Sequence, residues 1–142
     1  MRRLSIRGFS GALLILVAWL AWGHFTRLSD AEVYQKLTGT WVADWNSIPG
    51  VQSTTTFGPN GGYACRIAGF TNGAIVKLEG KWEVKKGGIL DTITNHSPTN
   101  FQVMSNASGR IVHLNDRELV TKWNLPNGPH ESVARKVTTG AE

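Results

Sequence analysis

At 142 residues the chain suits one domain plus a targeting segment, and its net charge of +5 is not a nucleic-acid signal. Arg2, Arg3, Arg7 and Arg27 fall in the first 28 residues, which hold no acid, leaving eleven basic against ten acidic residues over 29–142. That part carries about +1 and no basic patch for a phosphate backbone, and a single cysteine, Cys65, rules out an intramolecular disulfide.

The N-terminus is basic through Arg7, apolar from Phe9 to Gly23, and then small and polar, the layout of a secretory signal or a signal anchor. Residues 8–25 contain no Asp, Glu, Lys or Arg and as a helix would reach about 27 Å, close to a hydrocarbon core of about 30 Å. Ala21-Trp22-Gly23 offers a small-x-small cleavage site, whereas Trp19, Trp22 and Phe25 form an interfacial aromatic belt. Residues 1–28 are therefore read as an uncleaved single-pass anchor, an N-terminal hydrophobic helix, with a removed signal peptide as the alternative. In either case the leading arginines keep the N-terminus in the cytoplasm and put the following domain outside it, in the cell envelope or, if released, secreted or periplasmic.

Ser29-Asp30-Ala31-Glu32 has capping-box spacing, with acids leading and Lys36 closing, which predicts a short helix over 29–36. A run of short strands follows. Residues 40–45 align Trp41, Ala43 and Trp45 on one parity; 53–57 are rich in threonine, and Gly58-Pro59-Asn60-Gly61-Gly62 is a tight turn into 63–68, where Tyr63, Cys65 and Ile67 align. Residues 76–85 give the clearest pattern: Val76, Leu78, Gly80, Trp82 and Val84 alternate with Lys77, Glu79, Lys81, Glu83 and Lys85, a strand with one buried face. Lys86-Gly87-Gly88 turns into a strand over 89–94, residues 95–100 read as a polar loop, and a strand is placed over 101–105, where the pattern is weakest. Residues 110–115 and 118–124 form a hairpin with Leu119, Thr121 and Trp123 on one face, and Pro126-Asn127-Gly128 turns into a final strand over 131–137. About eight short strands with no helical period for a crossover predict an all-β antiparallel meander, closing into a barrel or forming a sandwich.

Chemistry-bearing groups are sparse. His24 belongs to the leader, and His96, His113 and His130 lie far apart without Cys or carboxylate at metal spacing. Asp44, Asp91 and Glu131 are the acids that folding is able to bring together as a pair. No nucleophile elbow, P-loop or dinucleotide fingerprint occurs, so no catalytic residue, metal or cofactor is assigned. Cys65 reads as a small buried residue. Asn95-His96-Ser97 and Asn106-Ala107-Ser108 match glycosylation acceptors and are read as loops.

Leu37-Thr38-Gly39-Thr40-Trp41 follows the capped helix and opens the first strand. A Gly-x-Trp there, with an Arg on the last strand packing across the tryptophan, resembles the lipocalin and calycin families; a second Gly-x-Trp recurs at Gly80-Lys81-Trp82. Phe57-Gly58-Pro59-Asn60-Gly61-Gly62-Tyr63 resembles the Phe-x-Pro-x-Gly-x-Tyr hairpin of small bacterial lipocalin-like domains. The resemblance implies an up-and-down barrel over residues 37–138 with a short tail at 139–142, and a structural trio of Gly39, Trp41 and Arg135. Arg135 shares parity with Val133 and Val137, and is expected to face inward and stack on Trp41 as a cation–π pair. The chain is shorter than a typical secreted lipocalin and lacks a long first loop, a later helix and a disulfide. The implied role is binding of a small apolar ligand, with Trp45, Tyr63 and Trp123 as the contacts; a barrel filled by its own side chains would instead be a structural or protein-interaction module of the envelope.

Overall fold

The structure, a computed structural model, describes residues 28–100, 102–126 and 128–138. The leader through Arg27, including the expected span from Phe9 to Gly23, lies outside the described residues, as does the tail at 139–142; no helix among the described residues is long and apolar enough to cross a membrane.

Helix α1 (Asp30–Leu37) precedes strands β1 (Gly39–Asp44), β2 (Gln52–Phe57), β3 (Gly62–Ala68), β4 (Val76–Lys85), β5 (Gly88–Ser97), β6 (Asn106–Leu114), β7 (Glu118–Leu125) and β8 (Gly128–Lys136). Each strand pairs antiparallel with the next, and β8 returns to β1 through Trp41↔Lys136, Val42↔Arg135 and Ala43↔Ala134, closing an eight-stranded up-and-down barrel. Closure gives every strand two partners and leaves no edge for another chain to extend.

The alternation of β4 sets the pattern for the wall. Val76 and Trp82 are buried while Lys77, Lys81 and Glu83 are exposed. The same parity turns Trp41 and Ala43 inward on β1, Cys65 and Ile67 on β3, and Leu119 and Thr121 on β7. At Gly80 the ladder to β5 shifts register. A Cβ there would come within 1.9 Å of the Thr92 carbonyl oxygen, so only glycine permits that approach of backbone to backbone.

Helix α1 plugs one end of the barrel. Its capping box is formed: Ser29 accepts from the Glu32 amide at 3.3 Å, and the Glu32 carboxylate accepts from the Ser29 amide at 2.8 Å. Val33 and Leu37 point into the barrel and pack with Trp41, Phe57 and Trp82. Tyr34 stacks on Trp82 with ring centroids 4.2 Å apart, and Phe57 meets the same indole edge-on at 5.0 Å. The helix is tied to three turns at this end: Asp30 accepts from the Lys86 and Gly87 amides, the Tyr34 hydroxyl donates to Pro59 O, and Lys36 pairs with Asp116 at 2.9 Å.

Several expectations are corrected by this architecture. Arg135 is exposed and faces outward, while Lys136, its neighbour, crosses the Trp41 ring at 5.2 Å. Val133 on β8 and Val137 just past its end are both exposed, so their parity marks the outer face, and the inward set is His130, Ser132, Ala134 and Lys136. The lysine does what the arginine was expected to do: its Nζ also donates to Lys36 O at 2.7 Å, and Trp41 Nε1 donates to Leu37 O at 2.7 Å, so two carbonyls left over at the helix C-terminus are satisfied. Gly39, at φ +131, is where the Lys136 stem passes; a Cβ would lie 2.8 Å from Lys136 Cε. No strand runs over residues 102–105. That stretch is a loop, β5 instead continues through Ser97, and β6 begins at Asn106. Asn95 and Asn106 thus belong to strands rather than loops. Strand β6 was poorly legible because its inward positions include Ala107 and Gly109, and because its ladder to β7 shifts between Ile111 and His113.

Candidate functional site

Tyr34, Trp41, Phe57 and Trp82 gather at the plugged end, whereas toward the open end a second apolar cluster, Val51, Ile67 and Val76 with Trp45, Phe70 and Leu78 against them, packs beside a hollow. A cavity of about 400 Å³ runs from the Trp41 and Phe57 layer toward the open end, where its walls reach the exposed residues Ser47, Gln102 and Met104. That volume falls within the 300–1,000 Å³ typical of small-molecule sites. The open end is formed by the β1–β2, β3–β4, β5–β6 and β7–β8 connections. Its apolar residues Ile48, Ile75, Met104 and Leu125 are each about two-fifths exposed, one from each connection or adjoining strand end.

Trp45, Tyr63 and Trp123 all line this cavity. Trp45 extends the inward parity of β1 just past its last residue, and its amide donates to Val51 O at 2.9 Å, which folds the β1–β2 loop back over the strand end. Trp123 lies flat against Gly109, its register partner on β6; a Cβ at Gly109 would come 2.9–3.1 Å from three atoms of the indole. The absence of a side chain on β6 therefore sets how far the Trp123 ring occupies the barrel. Tyr63 stands between the two halves, tilted against Phe57 at 5.9 Å between centroids, and burial pushes its phenol pKa up. Gly39, Trp41 and Lys136 belong to the plugged end, with Arg135 outside the wall.

Asp91 is the polar exception in the interior. It is 4% exposed, it turns inward on β5 opposite Trp82 and Ala107, and its Oδ1 has no hydrogen-bond partner. Burial pushes its pKa up from the ordinary 3.8 to about 7, because ionisation inside an apolar wall forfeits hydration that no neighbour replaces. Thr121, also buried, lines the cavity with it. Cys65 is buried on the facing wall; its sulfur accepts from Thr55 Oγ1 at 3.4 Å, and burial raises its pKa, which keeps the thiol neutral and unreactive.

The three acids do not assemble. Asp44 accepts from Gln52 at the rim, Glu131 faces outward to Lys122 at 3.5 Å, and Asp91 alone lies deep. His113 is exposed near the end of β6, within 3.0 Å of Asn115 in the β6–β7 turn. Among the described residues no three of His, Cys, Asp and Glu converge as a metal site. The sequence signal for Asp91 was an acid on the apolar parity of Ile89 and Ile93; sequence alone does not say that its carboxyl has no partner.

A closed eight-stranded meander, plugged by a helix at one end and hollow toward the other, defines a lipocalin-like barrel. Among solved structures, the chain is similar to the crystal structure of a lipocalin-like protein from Bacteroides uniformis, with a TM-score of 0.51 and 14% sequence identity over 72% of this chain and 99% of that one. At this identity the likeness carries the fold alone. No model of a known protein family matches the chain, and no curated protein matches it in sequence.

Proposed function

We propose that this domain binds a small apolar ligand inside the barrel and performs no catalysis, working at the cell envelope behind the N-terminal anchor. The observation that carries the reading is the cavity of about 400 Å³, walled by Trp45, Tyr63, Ile67, Trp123 and other largely apolar side chains. An apolar wall releases water when an apolar ligand replaces it, and aromatic side chains add large contact area with few rotors to immobilise. Met104 and Leu125, exposed apolar residues at the open end, also line the cavity and give such a ligand apolar contact at the rim. The alternative, a structural or protein-interaction module, calls for an interior filled by its own side chains, and the volume left empty favours binding over it. The anchor reading, with the domain outside the cytoplasm, rests on the basic-then-apolar leader.

Decanol is a suitable neutral probe, added to the full-length protein in detergent and followed by tryptophan fluorescence and calorimetry. Saturable one-to-one binding with a negative heat-capacity change, weakened at least fivefold in Trp123→Ala, is the expected result. Absence of saturable binding by decanol and by longer and shorter alcohols would refute the ligand-binding role. Retention of the protein in the membrane fraction through a carbonate wash tests the anchor; a soluble product beginning near His24 would decide for cleavage.

A further inference from the structure

Resting on the binding role above, we propose that the ligand is a cationic amphiphile: an apolar chain whose single ammonium head docks on Asp91 while its tail extends to the open end. The charge inventory of the cavity carries this. Its described lining contains two carboxyls, Asp91 and Asp44, and neither lysine nor arginine. Asp91 is the deep one, more than nine-tenths buried, with Oδ1 unpaired. A buried polar atom without a partner is costly, and that cost is recovered when a ligand supplies the donor. An ammonium group supplies charge as well as donors, and charge-assisted hydrogen bonds are the stronger kind. The indoles and phenol on the wall add ring faces that attract cations. An anionic head would meet two carboxyls and no counter-charge, so the same inventory disfavours a fatty acid.

The geometry also sets the orientation. Asp91 is the fourth residue of β5 from its plugged end and pairs with Trp82 of the helix-packed layer, while its β6 partner Ala107 is the second residue of that strand from the open end. The head therefore sits at mid-height on the wall beside the packed layer, and the tail takes the side of the cavity that leads to the rim. The groups facing the cavity with Asp91 are Tyr63 and Cys65 from β3, Asp44 from β1 and His130 from β8; its register partners on β4 and β6 are the uncharged Trp82 and Ala107. Tyr63 and Cys65 have raised pKa values and stay neutral.

The test compares decylamine, decanol and decanoate on the full-length protein, in wild type, Asp91→Asn, Asp44→Asn and His130→Gln. Decylamine is expected to bind about tenfold tighter than decanol at about pH 8.5, and decanoate weaker than either. The preference should shrink severalfold by about pH 5.5, where Asp91 is protonated and the amine still charged, and His130→Gln should keep that pH dependence. Asp91→Asn should bring amine and alcohol within about twofold of each other. Equal affinities in wild type, or a preference lost in Asp44→Asn but kept in Asp91→Asn, overturn the proposal while leaving the apolar cavity intact. Failure of all three probes would instead overturn the binding role on which it rests. If Asp91→Asn does not fold, the wild-type pH series decides, and a preference that is flat between the two pH values refutes the assignment.

Discussion

Asp91 makes a prediction about the unliganded fold that needs no probe. Its pKa rises from 3.8 in an ordinary carboxyl to about 7 in the barrel. Between those values the folded state holds a proton that the unfolded state has released, so stability from this group is full below about pH 4 and is lost as pH rises toward 7. At ~1.36 kcal/mol per pKa unit the whole displacement corresponds to roughly 4 kcal/mol, of which about 3 falls between pH 4.5 and 8.5. The perturbation is Asp91→Asn, which keeps the shape and removes the titration. Urea denaturation of both proteins across that pH range gives the stabilities, with equal slopes checking that the unfolded states match. The stability of the variant relative to wild type should rise by about 3 kcal/mol from pH 4.5 to 8.5. Glu32 and Asp116, whose pKa values are lowered by Ser29 and Lys36, act in the opposite sense: their contribution is lost as pH falls. They are common to both proteins and cancel in the difference. Parallel pH profiles for wild type and variant would refute the buried, unpaired placement of Asp91.

Two further predictions concern packing. Lys136→Met keeps the stem across Gly39 and Trp41 but removes the charge, and should cost about 1–2 kcal/mol, while Arg135→Ala should change stability by under ~0.5; equal urea midpoints for the two variants would return the stacking role to neither residue. Gly109→Ala forces a methyl against the Trp123 indole and should cost about 1–3 kcal/mol, with an altered near-ultraviolet circular dichroism from the displaced ring; a variant unchanged in both would mean that Gly109 does not set the ring's position.

How much of this was legible in the sequence depended on how much each strand had to say through side chains. Strand β4 was delimited to the residue because bulky apolar and charged side chains alternate without a break, and a one-residue slip would bury five charges. The capped helix was equally clear, since Ser29 and Glu32 act locally. Strand β8 misled because its inward positions, His130, Ser132, Ala134 and Lys136, are polar or small, whereas the valines face out. A strand that lines a hollow, half-polar interior has no need of large apolar residues inside, so the apolar parity there reports the wrong face. Strand β6 was obscured by a related cause: Gly109 is inward because an indole from β7 occupies the space its own side chain would fill. The same holds for the cavity. Trp45 and Trp123 were legible as residues at strand ends, but the volume they border depends on where all eight strands close, which no single segment encodes.

The two ends of the barrel treat their polar groups differently, and that contrast bears on the proposed binding role. At the plugged end, polar groups that the helix and turns would otherwise leave open are matched: Trp41 Nε1 and Lys136 Nζ take the terminal helix carbonyls, Trp82 Nε1 donates to Gly58 O, and Asp30 takes two turn amides. Matched buried polar groups fix one arrangement and rigidify it. Toward the open end a cavity of about 400 Å³ lies beside the second apolar cluster, with one buried carboxylate oxygen in its lining unmatched. A fold that satisfies its polar groups so fully around the plug has no general tolerance for orphans. Among the described residues the fully buried side-chain oxygen left unsatisfied, Asp91 Oδ1, belongs to a residue that lines the cavity. A partner from outside the chain that supplies a donor at Asp91 adds an interaction that the folded chain does not make for that oxygen itself.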